Sequence, residues 1–175
     1  MCEVGGGVNH RHNRIRDWLA GLVADWTGQV VETEQYVLRW DRVVRVNGVD
    51  EIERARLDVA FIDRHARRVY IDVVVPTAAS TNPELVRARA ARAGAAAAKA
   101  EDTKRLRYPG PELAPFAVEA LGRPGDDAIA VLRSVAPADL EERSVALGAA
   151  WQSLSVILQT ENAELLMSAA GCRSP

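Results

Sequence analysis

The chain has 175 residues, of which 48% are hydrophobic and 26% charged, with a net charge of −2. Those values fit one globular domain with room for a substantial core, and they exclude disordered, fibrous and collagen-like chains. No stretch nears the roughly 18 consecutive apolar residues that a spanning helix needs, and the start has no signal-peptide pattern, so a chain that is neither membrane-bound nor secreted is expected.

Ile15, Trp18, Leu19, Leu22, Val23 and Trp26 recur at helical spacing and form one stripe, which predicts a helix over residues 12–26 with Gly28 closing it. Residues 29–34 read as a short strand, and Asn47-Gly48 marks a hairpin turn inside an otherwise undecided meander over 35–53. Two β-branched runs, Ala55 to Ile62 and Val69 to Val75, flank a polar stretch of five residues and predict a hairpin that Pro76 ends. Asn82-Pro83-Glu84 opens a helix that runs to about Arg107, with Gly94 as a tolerated cost of roughly 1 kcal/mol. Tyr108-Pro109-Gly110-Pro111 stops it; residues 116–121 alternate as a strand, 126–134 form a short helix, and 140–168 form a last helix with Leu147, Trp151, Leu154 and Leu158 on one stripe. There is no internal repeat. The order predicts a single α/β (α+β) domain over 1–175, a mixed central sheet flanked by helices.

Charge is unevenly distributed. Residues 1–38 hold 3 Arg against 5 acids, residues 39–107 hold 15 Lys and Arg against 10, and the remainder 4 against 9. A basic middle third is the one-dimensional footprint of a polyanion-binding face, and equally of a solvated Arg-rich surface.

If the longer hairpin is centred on His65, residues whose numbers sum to 130 oppose each other. Asp58 then faces Asp72, on one face, with Cβ atoms about 4.5 to 5.5 Å apart and like charges that repel. Apolar neighbours (Leu57, Val59, Ile71, Val73) imply half-burial, which raises the cost. Three things relieve it: a divalent cation such as Mg²⁺ or Mn²⁺, a basic side chain from another element, or a shared proton. The alternative is that one acid faces solvent, or that each pairs with Arg56 or another arginine. The residue two beyond Asp72 is Val74, so the strand supplies no lysine. The following helix offers Lys104, with Tyr108 at i+4 on the same face, and Lys99 about 140° further round.

Arg56-Leu57-Asp58, then thirteen residues, then Asp72, then a helix ending Lys104-Arg105-Leu106-Arg107-Tyr108-Pro109, resembles the restriction-endonuclease-like domain of site-specific non-LTR retrotransposons, a branch of the PD-(D/E)XK nuclease superfamily. The likeness extends to Arg11-His12-Asn13-Arg14, to residues 115–125 and to Leu158-Gln159-Thr160-Glu161-Asn162-Ala163. It implies a restriction-endonuclease-like fold and a Mg²⁺-dependent (or Mn²⁺-dependent) endonuclease that nicks DNA, leaving a 3′-hydroxyl from which the reverse transcriptase portion of a parent polyprotein primes. Carried over by position, Asp58 and Asp72 hold the metal, and Lys104 or Lys99 with Tyr108 completes the catalytic set. Arg11, His12, Arg56, Arg105 and Arg107 are the expected DNA contacts, and a nuclear location follows from the resemblance alone. Leu57 replaces a usual proline, and Val74 a usual lysine. The family carries a zinc knuckle just upstream, so Cys2, within residues 1–10, reads as its last ligand; His10 and His12 could chelate a metal with Cys2, or simply begin a solvated helix.

Two further readings compete with the nuclease: an inactive nuclease-fold module that binds DNA or protein, and a dimerisation domain built on Trp151 and Leu154. Target sequence and oligomeric state are not readable, since nothing has the spacing of a sequence-reading motif.

Overall fold

The stripe on the first helix is the floor on which the sheet is laid. The structure, a computed structural model, describes residues 4–77, 87 and 92–171. Helix α1 spans Val4–Thr27, and Ile15, Leu19 and Val23 from its stripe are fully buried. Gly28, at φ +64°, closes it with an N–H bond to the Ala24 carbonyl.

Strand β1 is Glu32–Tyr36, a few residues later than the sequence predicts, because pairing with Arg56 to Ala60 fixes its place and leaves Val30 outside, 83% exposed. A 3-10 turn, Leu38–Trp40, leads to a hairpin of β2 (Arg42–Val46) and β3 (Val49–Glu53). Asn47 and Gly48 both have positive φ at its tip, as a two-residue primed turn requires. This hairpin stands as a separate two-stranded sheet.

The main sheet has four strands in the order β1-β4-β5-β6, with β4 at Arg56–Ile62, β5 at Arg68–Val74 and β6 at Leu113–Ala117. Neighbours are antiparallel except β5 and β6, which run parallel across a crossover that contains helix α2, Ala95–Arg107. The β4–β5 register is Ala60 opposite Tyr70 and Val59 opposite Ile71, which is the predicted sum of 130. Strand β6 begins at Leu113 rather than 116 and includes Pro115, tolerated because β6 is an edge strand. Of the helix predicted from Asn82, Arg87 is helical and α2 runs from Ala95, with a break at residues 92–94 where Gly94 at φ +81° precedes α2 instead of being absorbed; the segments 78–86 and 88–91 lie outside the described residues. Cys2 and Cys172 lie outside them too.

Helices α3 (Asp126–Val135) and α4 (Leu140–Gly171) follow. The main core joins Val59, Phe61, Ile71, Val73 and Phe116 of the sheet to α1, to Val131 and Leu132 of α3, and to Ala150, Leu154 and Leu158 of α4. Trp151, on the stripe that the dimerisation reading would turn to a partner, packs against this core. A smaller cluster of Val37, Trp40, Ala55, Leu57 and Tyr108 ties the 3-10 turn to the end of α2. Together these elements make a mixed α/β domain whose sheet is flanked by helices.

Candidate active site

The β4–β5 ladder stops at Val59 opposite Ile71, one pair short of the two aspartates. From there a side chain takes over a backbone role: Asp58 Oδ2 accepts the Val73 N–H at 2.7 Å. Its other oxygen, Oδ1, contacts His12 Nε2 of α1 at 2.9 Å. Asp58 and Asp72 are close enough for each to act on the other's proton affinity. Asp72 is 4% exposed, and the Lys104 ammonium of α2 sits 2.7 Å from its Oδ2. That oxygen is wholly buried and has no hydrogen bond of good geometry, so the lysine holds it by charge rather than by direction.

The two acids differ in proton affinity. Burial pushes Asp72 up to about 6, against the pull of Lys104 and with a further push from the Asp58 charge. Burial also acts on Asp58, but its bonds to His12, to the Val73 N–H and to Asp72 outweigh it and hold Asp58 below its ordinary value. Of the three ways of relieving the repulsion, the described residues supply a basic side chain, Lys104, and a raised proton affinity at Asp72. Arg56 is not the partner: it leans on Glu34 at 3.5 Å.

The helix lysines separate cleanly. Lys104 enters the site, whereas Lys99 is exposed and makes no ion pair among the described residues. Tyr108 is buried, with the Lys104 ammonium 6.0 Å from its ring centre, and burial followed by the Asp72 charge raises its phenol above the ordinary value. The end of α2 is pinned by Trp40, whose indole N–H donates to the Pro109 carbonyl at 2.9 Å.

The expected DNA contacts divide differently. Arg11 is buried and donates to Asn162 Oδ1 of α4 at 2.7 Å, so it braces two helices and does not face a phosphate. Arg107 is likewise spent inside, on the Trp40 carbonyl and on Glu53, with its Nε buried and unpaired. Arg105 bonds Asp102 and Asp127 and lines a cleft of about 530 Å³ that reaches neither Asp58 nor Asp72. His12 belongs to the carboxylate pair rather than to a free surface. Arg56 alone of these five is a half-exposed side chain whose one ion pair is loose.

His10 and His12 meet different partners, His10 Nδ1 lying 2.7 Å from Glu161 Oε2 and His12 at Asp58, while Cys2 of the expected metal set lies outside the described residues. His10, Glu161 and Glu164 are close enough to share an ion, but Glu161 already holds both His10 and Arg14.

The sequence reading missed His12 as a partner of Asp58, and its place in the stripe shows why. It lies three residues before Ile15, so the helix period that buries Ile15 also turns His12 inward. Compared with known proteins, the chain matches no family model, and no curated protein matches it.

Proposed function

We propose that the chain is a divalent-metal-dependent DNA endonuclease with a PD-(D/E)XK-type fold. The single observation that carries this is the meeting of Asp58, Asp72 and Lys104, a half-buried and a buried acid on adjacent strands and an amine delivered by the helix of the crossover between β5 and β6. The strand order, with one parallel pair beside antiparallel neighbours, supports the fold part of the reading.

The residues fit a hard cation. Two adjacent carboxylates are the usual protein contribution to a Mg²⁺ or Mn²⁺ site, and Asp72 Oδ2 is a buried acceptor without a well-directed donor. Asp58 and Asp72 would hold the ion, whose chemistry at such a pair is Lewis-acid polarisation of a phosphate and a lowered pKa for bound water. The Val73 N–H and His12 orient Asp58, so its carboxylate plane is set before any ligand arrives. Lys104 has three N–H bonds and directs its charge at Asp72, leaving donors for a phosphate oxygen or for the attacking water. Tyr108 stays a neutral phenol and shields the amine from one side. The resemblance supplies the setting we propose for the cut, a nick in target DNA that exposes a 3′-hydroxyl for a reverse transcriptase.

Incubation of supercoiled plasmid with the protein and Mg²⁺ or Mn²⁺ tests the reading. Wild type is expected to produce nicked circles and Asp72→Ala none, with thermal melts confirming that the variant folds. Nicking by both proteins alike would overturn the proposal, and salt-dependent DNA binding without cleavage in either metal would leave a binding module in its place.

A further inference from the structure

A second cleft, about 420 Å³, opens between the β2–β3 hairpin and α2, with Arg42 and Glu53 on one wall and Thr103, Lys104, Leu106 and Tyr108 on the other. Lys104 belongs both to this cleft and to the carboxylate pair, so the cleft runs into the candidate active site. We propose that it seats the sugar-phosphate backbone of the DNA strand to be cut, with Arg42 as the phosphate contact. This inference rests on the endonuclease reading and assigns that site its substrate path.

Three observations carry it. The first is charge: Arg42, Lys104 and Arg107 line the cleft against a single acid, Glu53, and that carboxylate is already shared by Arg42 at 2.8 Å and Arg107 at 3.4 Å. Lys104 is paired in turn with Asp72, so three cations stand against two acids and the walls keep one positive charge in excess, which suits a phosphate.

The second is the mixture of groups. Arg42 is half exposed, Thr103 is exposed with its hydroxyl turned to the Lys99 carbonyl, and Leu106 is 85% exposed. Donors beside one bare apolar side chain match phosphate and sugar, and offer nothing that reads a base edge.

The third is the hairpin itself. A two-stranded sheet on its own is marginal in water, and this one is outside the four-stranded sheet. Its tie to α2 runs through Arg107, whose guanidinium bonds Glu53 of β3 and the Trp40 carbonyl just before β2. The arm is thus held at a fixed place beside the helix that carries Lys104, where it builds a wall that the main sheet does not need for its own core.

The test compares variants with equal changes in charge. On β2, Arg42 and Arg45 lie on opposite faces of the strand, and Arg45 does not line the cleft. Binding of a fluorescein-labelled DNA duplex to the full chain is followed by anisotropy across a salt series without divalent metal. Plasmid nicking is measured in parallel with Mg²⁺. Arg42→Gln is expected to weaken binding and to lower the slope of log affinity against log salt by about one, whereas Arg45→Gln leaves both near wild type. Thr103→Glu, at a cleft residue on α2 whose hydroxyl bonds the Lys99 carbonyl, leaves the Arg42–Glu53 pair in place, is expected to weaken binding as well and keeps the test valid if loss of that pair unfolds the arm. Equal losses from Arg42→Gln and Arg45→Gln, or no loss from Arg42→Gln and Thr103→Glu, would overturn the cleft while leaving the endonuclease reading intact. Binding that depends on Arg42 and Thr103 with no nicking in any metal would uphold the cleft and remove that reading.

Discussion

Buried charge is handled in two ways in this protein. Between α1 and α4, both buried charged side chains have side-chain partners, Arg11 in Asn162 and Glu161 in His10 and Arg14, although the Arg11 Nε is itself buried without a bond. At the open end of the β4–β5 ladder the matching is incomplete, because one amine and one imidazole serve two carboxyls, and an oxygen of Asp72 is left without a directed donor. Burying charge costs several kcal/mol per ion unless geometry repays it. The helix pair therefore reads as structure, and the strand pair as a place held ready for a ligand.

The largest expected effect tests the open end. Lys104→Met should lower the nicking rate by about 10²- to 10³-fold, the usual loss when a preorganised donor is removed, without lowering thermal stability. Removal of the amine leaves Asp72 free to keep its proton, so the fold has a way to accommodate the change. A loss of activity that tracks a loss of folded protein would erase the distinction between the two regions.

The closed end should respond in the opposite way. Arg11→Leu removes the donor to Asn162, and an unsatisfied buried polar group costs roughly 1–3 kcal/mol, visible as a lower urea midpoint. Nicking per folded molecule should not change. If activity falls while stability holds, Arg11 contacts DNA after all.

The smallest effect concerns pH. The proton of Asp72 is lost at about 6 in the folded chain, above its ordinary value of 3.8. Since the folded state binds that proton more tightly than the unfolded state, its contribution is complete below the ordinary carboxylate range and fades as pH rises through about 6. Thermal melts of metal-free protein from pH 4.5 to 7.5 should show this decline, and Asp72→Asn should flatten it. Asp63 titrates in the other direction: bonds from the Arg67 and His65 backbone N–H groups, with the Arg67 side chain, hold it at about 2, so it contributes nothing to the decline above pH 5.

What was legible in the sequence follows from periodicity. The α1 stripe and the β4–β5 register could be read because repeats of 3.6 and 2 residues fix a face, and the register alone brought Asp58 to Asp72. The helix angle set Lys104 and Lys99 apart but left both as candidates, and the structure brings Lys104 to Asp72. Other features depend on contacts that residue spacing does not encode. Arg11 and Arg107 look like surface cations until Asn162 and Trp40 are placed beside them. The break before α2 is not legible, because a glycine within a helical run shows its positive φ, and so its role as a boundary, only in the folded backbone. Pro115 masked the first residues of β6, since only the sheet order reveals that β6 is an edge.

Helix α2 is held from several directions. Glu119 accepts the Ala96 and Ala97 N–H groups at its start, Glu101 reaches across to the Asp127 and Ala128 N–H groups of α3, and Trp40 pins its end. The approach of Glu101 to α3 is so close that a Cβ on Gly125 would lie 2.0 Å from the carboxylate. An amine carried on a strand would inherit its position from the ladder; one carried on a braced helix inherits it from a second, independent framework. The alignment of lysine and acids is thus a joint property of two rigid bodies, and a single methyl at position 125 would disturb it from outside the site by displacing the strut between them.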